Sequence, residues 1–163
     1  MHELDELFDV AAARRLDAQA SALLGDGGAG LMEQAGTAAW QCLLERWPQA
    51  QRLCVAAGAG NNGGDGYVLA RLARQAGRHV QVLRLADAGA RTELAERARA
   101  AYLAVGGQEV VFAQALPPAD IVVDALFGIG LNRPPGGEAA RLVAAITQCA
   151  LAVLALGVPR GVG

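Results

Sequence analysis

Apolar residues recur along this chain with two different periods. Over 3–24, Leu4, Leu7, Ala11, Leu16, Ala20 and Leu23 return at helical spacing, which predicts an N-terminal helical arm. A glycine-rich break follows, from Gly25 to Gly30. A second helix is predicted over 31–47, with Leu31, Ala35, Ala38, Cys42 and Leu43 on one side, and Trp47-Pro48 ends it because the residue before proline leaves the helical region. The pattern then changes. Leu53 to Ala57 is a short unbroken apolar run, as a buried parallel strand should be. A loop is expected over 58–66, with a helix beginning near its end. That helix turns Val68, Leu69, Leu72, Ala73 and Ala76 inward and closes at Gly77. Further strands are expected at 80–85, 109–112, 121–124 and 151–156, and further helices at 91–105 and 138–148. Gly106-Gly107 ends the first of these helices, and a loop with two prolines spans 128–137. Strands alternating with helices predict an α/β fold, a mostly parallel sheet with helices on both faces.

At 163 residues the chain fits a single domain, 1–163, with the arm and first helices over 1–48 and an α/β core over 52–163. Apolar residues make up 53% and charged residues 18%, which excludes a disordered chain. The net charge of -2 gives no electrostatic reason to expect nucleic acid or an anionic membrane as partner. The acidic start Met1-His2-Glu3-Leu4-Asp5-Glu6 does not read as a signal peptide, and no apolar run is long enough to span a membrane. The three scattered cysteines, Cys42, Cys54 and Cys149, read as reduced thiols, so a cytoplasmic setting is expected. All 14 basic residues are arginine, which excludes a P-loop or Schiff-base lysine, and Ser21, the only serine, argues against a serine triad. His2 and His79 cannot make a zinc cluster with those cysteines, and His79 at a strand start is read as structural. Carboxylates, asparagines and backbone amides remain for chemistry.

Three strand ends carry unusual residues. Gly58-Ala59-Gly60-Asn61-Asn62-Gly63-Gly64-Asp65-Gly66 has five glycines in nine positions. These let a backbone approach a ligand and leave amides at a helix N-terminus, where the helix dipole favours anions. Asp65 is expected to cap that helix. The plain alternative is a tight strand-to-helix turn. Asp124 ends an apolar strand, placed for a cation or a sugar hydroxyl, and Arg133 nearby suits a phosphate. The third stretch, Gly157-Val158-Pro159-Arg160-Gly161, is by itself only a turn.

GAGNNGGDGYVLAR at 58–71 and VVDALFGIGLNR at 122–133 resemble the two signature stretches of the YjeF amino-terminal domain, the NAD(P)H-hydrate epimerases. LMEQAG at 31–36 and RRLD at 14–17 also fit that family's first helices. The resemblance implies a Rossmann-like three-layer α/β/α sandwich with an N-terminal helical arm, usually dimeric. It implies interconversion of the R and S epimers of hydrated NADH and NADPH (NADHX and NADPHX), a nucleotide-repair step feeding an ADP/ATP-dependent NAD(P)H-hydrate dehydratase. By position, Asn61, Asn62, Gly63, Gly64 and Asp65 would contact the nucleotide's phosphates. Gly128, Ile129, Gly130, Leu131, Asn132, Arg133 and Pro134 would line the nucleotide site, and Asn62 and Asp124 would bind potassium (K+).

Two positions depart from the family. Gly157 stands where it has an aspartate that binds substrate and moves a proton, and Arg160 stands where it has a potassium-binding serine. The family's closing strands are also expected to be absent here, leaving an edge strand uncovered. The departures favour an epimerase of reduced activity, with a non-catalytic nucleotide-binding, dimerisation or scaffold module as the alternative. A dehydrogenase fits less well. Arg84 and Leu85 stand at the second strand's end where a ribose-binding acid belongs.

Overall fold

The computed structural model describes residues 27–86, 91–127 and 136–157. The expected arm lies outside them. Nine elements run in order: α1 (Ala29–Arg46), β1 (Arg52–Ala57), α2 (Asn61–Gln75), β2 (His79–Arg84), α3 (Glu93–Ala104), β3 (Gln108–Val111), β4 (Ile121–Ala125), α4 (Gly137–Gln148) and β5 (Ala152–Ala155). The strands form one sheet in the order β3-β2-β1-β4-β5. Every pairing is parallel, as the unbroken apolar runs predict. β1 and β4 lie at its centre; β4 is buried throughout, and β1 at all but its first residue.

Alternate residues of these strands feed two cores, so the molecule has the expected three layers. Leu53, Val55, Val82, Ile121 and Val123 pack with Trp40 and Leu43 of α1, Leu69 and Ala73 of α2, and Tyr102 of α3. Cys54, Ala56, Leu83 and Val122 face the other way, against Leu142 and Ile146 of α4. Burial pushes the Cys54 thiol up to about 12, with Cys149 adding to the effect, so Cys54 is an inert core residue.

The buried stripe of α1 is Met32, Gly36, Trp40 and Leu43, one step round from the predicted face. Ala38 is exposed, and Leu31, Ala35 and Cys42 are half-buried. Gly36 sets this rotation: a Cβ there would lie 2.3 Å from Val68 Cγ1, so the missing side chain lets α1 seat directly on α2. At the other end of α2, Gly77 takes φ +90°. Gly77 N–H donates to Arg74 O and Arg78 N–H to Ala73 O, each at 3.0 Å, the paired bonds of a Schellman cap. Ala76 precedes this turn and is exposed rather than inward-facing.

Two carboxylates fasten the layers. Asp120 accepts from the N–H groups of Gln51 and Arg52, both at 2.9 Å, and so ties the start of β4 to the start of β1. Glu109 on β3 accepts from Arg99 Nε at 2.8 Å and Nη2 at 2.9 Å on α3, and from the buried Tyr67 hydroxyl on α2. Burial works against the Glu109 carboxylate, but Arg99 and Tyr67 together hold it below its ordinary range. A depressed carboxylate contributes stability above its unfolded pKa of about 4.3, and the contribution is lost as pH falls through the folded value. Melts from pH 7 to pH 3 should therefore show the parent losing stability below about pH 4 more steeply than Glu109→Gln. Identical acid slopes would detach Glu109 from the acid response.

Candidate functional site

A parallel sheet brings the carboxyl ends of its strands to one edge, and ligands bind where the strand order reverses. Here that point lies between β1 and β4. The three strand ends singled out in the sequence belong to β1, β4 and β5, which are neighbours in the sheet. Residues nearly a hundred positions apart therefore meet in one crevice.

The glycine-rich segment is mostly helix. Only Gly58, Ala59 and Gly60 form the turn, and α2 starts at Asn61 rather than near the segment's end. Asparagine and glycine are weak helix formers, so packing supplies the stability. A Cβ on Gly63 would lie 1.9 Å from Gly58 O, and one on Gly66 would lie 2.7 Å from Ala125 Cβ. A Cβ on Gly64 would lie 2.5 Å from Met32 Cε and 3.2 Å from Ala95 Cα, so Gly64 is where α1 and α3 close on α2. No glycine of this segment has positive φ; they are needed for space rather than for unusual backbone angles. Gly58 N–H donates to Ala125 O at 3.0 Å and stitches the turn to the end of β4. Gly64 N–H closes the first helical turn on Gly60 O at 3.2 Å, and the amides before it point out of the helix's positive end.

Asn62 joins the three ends. It is 3% exposed, and its Nδ2 donates to Phe127 O at 3.1 Å, beyond β4, and to Leu156 O at 2.7 Å, beyond β5. Asp124 is buried at the end of β4, in register with Ala155, and its Oδ1 accepts from Leu126 N–H at 3.2 Å. Asp65 is buried inside α2 and does not cap it; the N-cap is Gly60, with no side-chain bond. Asn61 is exposed at the mouth. Gly157 directly follows Leu156 and has φ +99°, a conformation side chains rarely adopt. Gly128 to Pro134 and Arg160 lie outside the described residues.

Sequence reasoning missed Thr92. Its hydroxyl donates to Asn61 Oδ1 at 2.6 Å while accepting from Ala95 N–H at 3.1 Å, so the cap of α3 also orients Asn61. Its own N–H donates to Ala59 O at 3.1 Å. A threonine ahead of an apolar helical run was the available signal. The site thus offers neutral amides and a helix N-terminus for an anion, beside two buried carboxylates and main-chain oxygens for a cation or a hydroxyl.

A family model described as "YjeF-related protein N-terminus" matches residues 28–163. An NAD(P)H-hydrate epimerase of Bordetella bronchiseptica is 40% identical over 134 residues, covering 82% of this chain and 58% of its own. One from Limosilactobacillus fermentum is 36% identical over 134 residues, covering 81% of this chain and 64% of its own. A bifunctional NAD(P)H-hydrate repair enzyme, Nnr, of Coxiella burnetii is 43% identical over 136 residues, covering 81% of this chain and 27% of its own. The chain therefore spans less than two thirds of the length of each of these relatives. The crystal structure of yeast ynu0, YNL200c, superposes with a TM-score of 0.70 at 22% identity, covering 91% of this chain and 70% of the yeast chain, which is a likeness of fold. Since the family model extends over most of the sequence, including all three strand ends that form the crevice, this chain belongs to the family of YjeF-related protein N-termini.

Proposed function

We propose that this chain epimerises the R and S hydrates of NADH and NADPH, at a reduced rate. The observation that supports this most is the pair of Asn62 bonds to Phe127 O and Leu156 O. Through them the glycine-rich helix start, suited to a pyrophosphate, shares a crevice with residue 157, where the family resemblance expects a catalytic carboxylate. The reacting carbon bears a hydroxyl next to the ring nitrogen, and it inverts by losing and regaining that hydroxyl through an iminium-like species. The protein must hold the dinucleotide, stabilise the departing oxygen and exchange a proton. Amides of Asn61 to Asp65 and the 128–134 segment hold the nucleotide in this reading. Asp65 and Asp124 are the carboxylates left for the proton. Following R-to-S conversion with purified hydrates tests the proposal.

A potassium ion fits the residues present. Asp124 and the carbonyls of Phe127 and Leu156 are oxygen donors at neighbouring strand ends, and a hard cation takes oxygen. Asn62 would join that set with its amide turned over, Oδ1 taking the place of the Nδ2 that donates to both carbonyls. A bound potassium ion would supply positive charge beside the anionic nucleotide. Arg160 replaces the hydroxyl of this set with a competing charge, so thermal melts of the parent should differ little between potassium and sodium. Arg160→Ser should melt higher in potassium. An equal response in both proteins would show that Arg160 does not interfere.

A homodimer, a cytoplasmic setting and an ADP/ATP-dependent dehydratase acting on the product complete the reading; no helix among the described residues is long and apolar enough to cross a membrane. One observation favours a second reading, a nucleotide-binding or scaffold module without turnover. Gly157 sits at φ +99° in the position of the proton-moving residue and has no group to exchange a proton. Binding of ADP-ribose without any epimerisation would select that reading.

A further inference from the structure

Arg84 is the last residue of β2, and Arg91 stands directly before the Thr92 cap of α3. In dinucleotide-binding sheets the end of the second strand meets the adenosine ribose. An acidic residue there bonds the 2′-hydroxyl, and an arginine accommodates a 2′-phosphate. The strand end Arg84-Leu85-Ala86 carries no acid; the first one after it in sequence is Asp87, which lies outside the described residues. Glu138 of α4 does reach this point, but it comes from the opposite face of the sheet and accepts the Ala86 N–H at 2.7 Å.

On the α2 and α3 face, three arginines, Arg84, Arg91 and Arg99, gather around two carboxylates, Glu96 and Glu109. Arg99 makes the close contacts with both. Arg84 Nε stays 3.9 Å from Glu109 Oε1, and Arg91 Nη1 stays 3.7 Å from Glu96 Oε2, beyond hydrogen-bond length. The Nε atoms of Arg84 and Arg91 are buried and lack any hydrogen-bond partner. Buried guanidinium donors without acceptors are destabilising, and an anion that draws the two groups toward itself relieves them. The side chains are 31% and 18% exposed, so each has a face open to a ligand. The bonds of Thr92 to Ala59 O and Asn61 Oδ1 hold Arg91 beside the glycine turn.

We propose that Arg84 and Arg91 form a phosphate-monoester site that reads the 2′-phosphate of the nucleotide, so that this protein prefers hydrated NADPH to hydrated NADH. The inference rests on the nucleotide reading above. Calorimetry with 2′-phospho-ADP-ribose and with ADP-ribose tests it on the parent protein. The 2′-phosphate compound should bind about 10- to 100-fold more tightly, the range of one or two charge-assisted contacts. Arg84→Gln and Arg91→Gln should each lose much of that gain, and melting of each variant separates lost recognition from lost folding. Equal affinity for the two compounds overturns the inference while leaving the nucleotide site standing. Binding of neither overturns both. A preference that survives in a folded double variant shows that other residues read the phosphate.

Discussion

Gly157→Asp should raise the epimerisation rate, recovering part of the roughly 10²–10⁴-fold that a positioned acid–base group supplies. Residue 157 springs from the chain one position beyond Leu156, whose carbonyl holds Asn62 and whose N–H donates to Asp124 O at 2.8 Å. A carboxylate introduced there starts from the shared crevice. Recovery should be incomplete, because φ +99° at this position strains any side chain by about 1–2 kcal/mol. Gly157→Asn has a similar shape and backbone tolerance but exchanges no proton, so it should stay at the parent rate. Nucleotide affinity should change little in either variant, since the proposed phosphate contacts lie on α2. If aspartate and asparagine give the same rate, the proton passes through Asp65, Asp124 or water instead.

The largest effect on stability should come from Gly63→Ala. Its Cβ would lie 1.9 Å from Gly58 O, 2.7 Å from Gly58 C and 3.0 Å from Gly58 N, all backbone atoms that cannot swing aside. Overpacking of this kind costs about 1–3 kcal/mol, which lowers the melting temperature by roughly 2–4 °C for each kcal/mol in a chain of this size. Gly60→Ala is the internal control. It lies two residues before Asn62, and nothing stands within 4 Å of its Cβ. Its loss should stay below about 1 kcal/mol, the scale of an N-cap change. Similar melting points for the two variants would mean that the turn yields more readily than its geometry indicates.

The alternation of elements was legible because buried parallel strands and amphipathic helices leave different periods in a sequence. Apart from the arm, every predicted element is present within a few residues of its expected bounds. What the sequence did not carry is proximity. Nothing in residues 62, 127 and 156 says that one amide bridges two carbonyls; that follows from β4 and β5 lying next to β1. The start of α2 was misplaced because Asn61, Asn62, Gly63 and Gly64 read as loop by propensity, whereas the helix exists through close contact with α1, α3 and β1. The same contacts change the meaning of the glycines. Gly64 and Gly66 serve packing, so Gly64→Val would test the fit of Met32 and Ala95 rather than ligand approach. The face of α1 was misread by one step because glycine, which the apolar pattern does not count, decides where α1 touches α2.

Whether this crevice interconverts the two hydrates is read most directly from one measurement. The purified protein is mixed with the R hydrate of NADPH, and the S form is followed by chromatography against a protein-free control. R should convert to S faster than in the control, in proportion to protein added, and the same mixture should form from either epimer. Conversion no faster than the control, at protein concentrations where ADP-ribose binding is saturated, would contradict the account and leave a nucleotide-binding module.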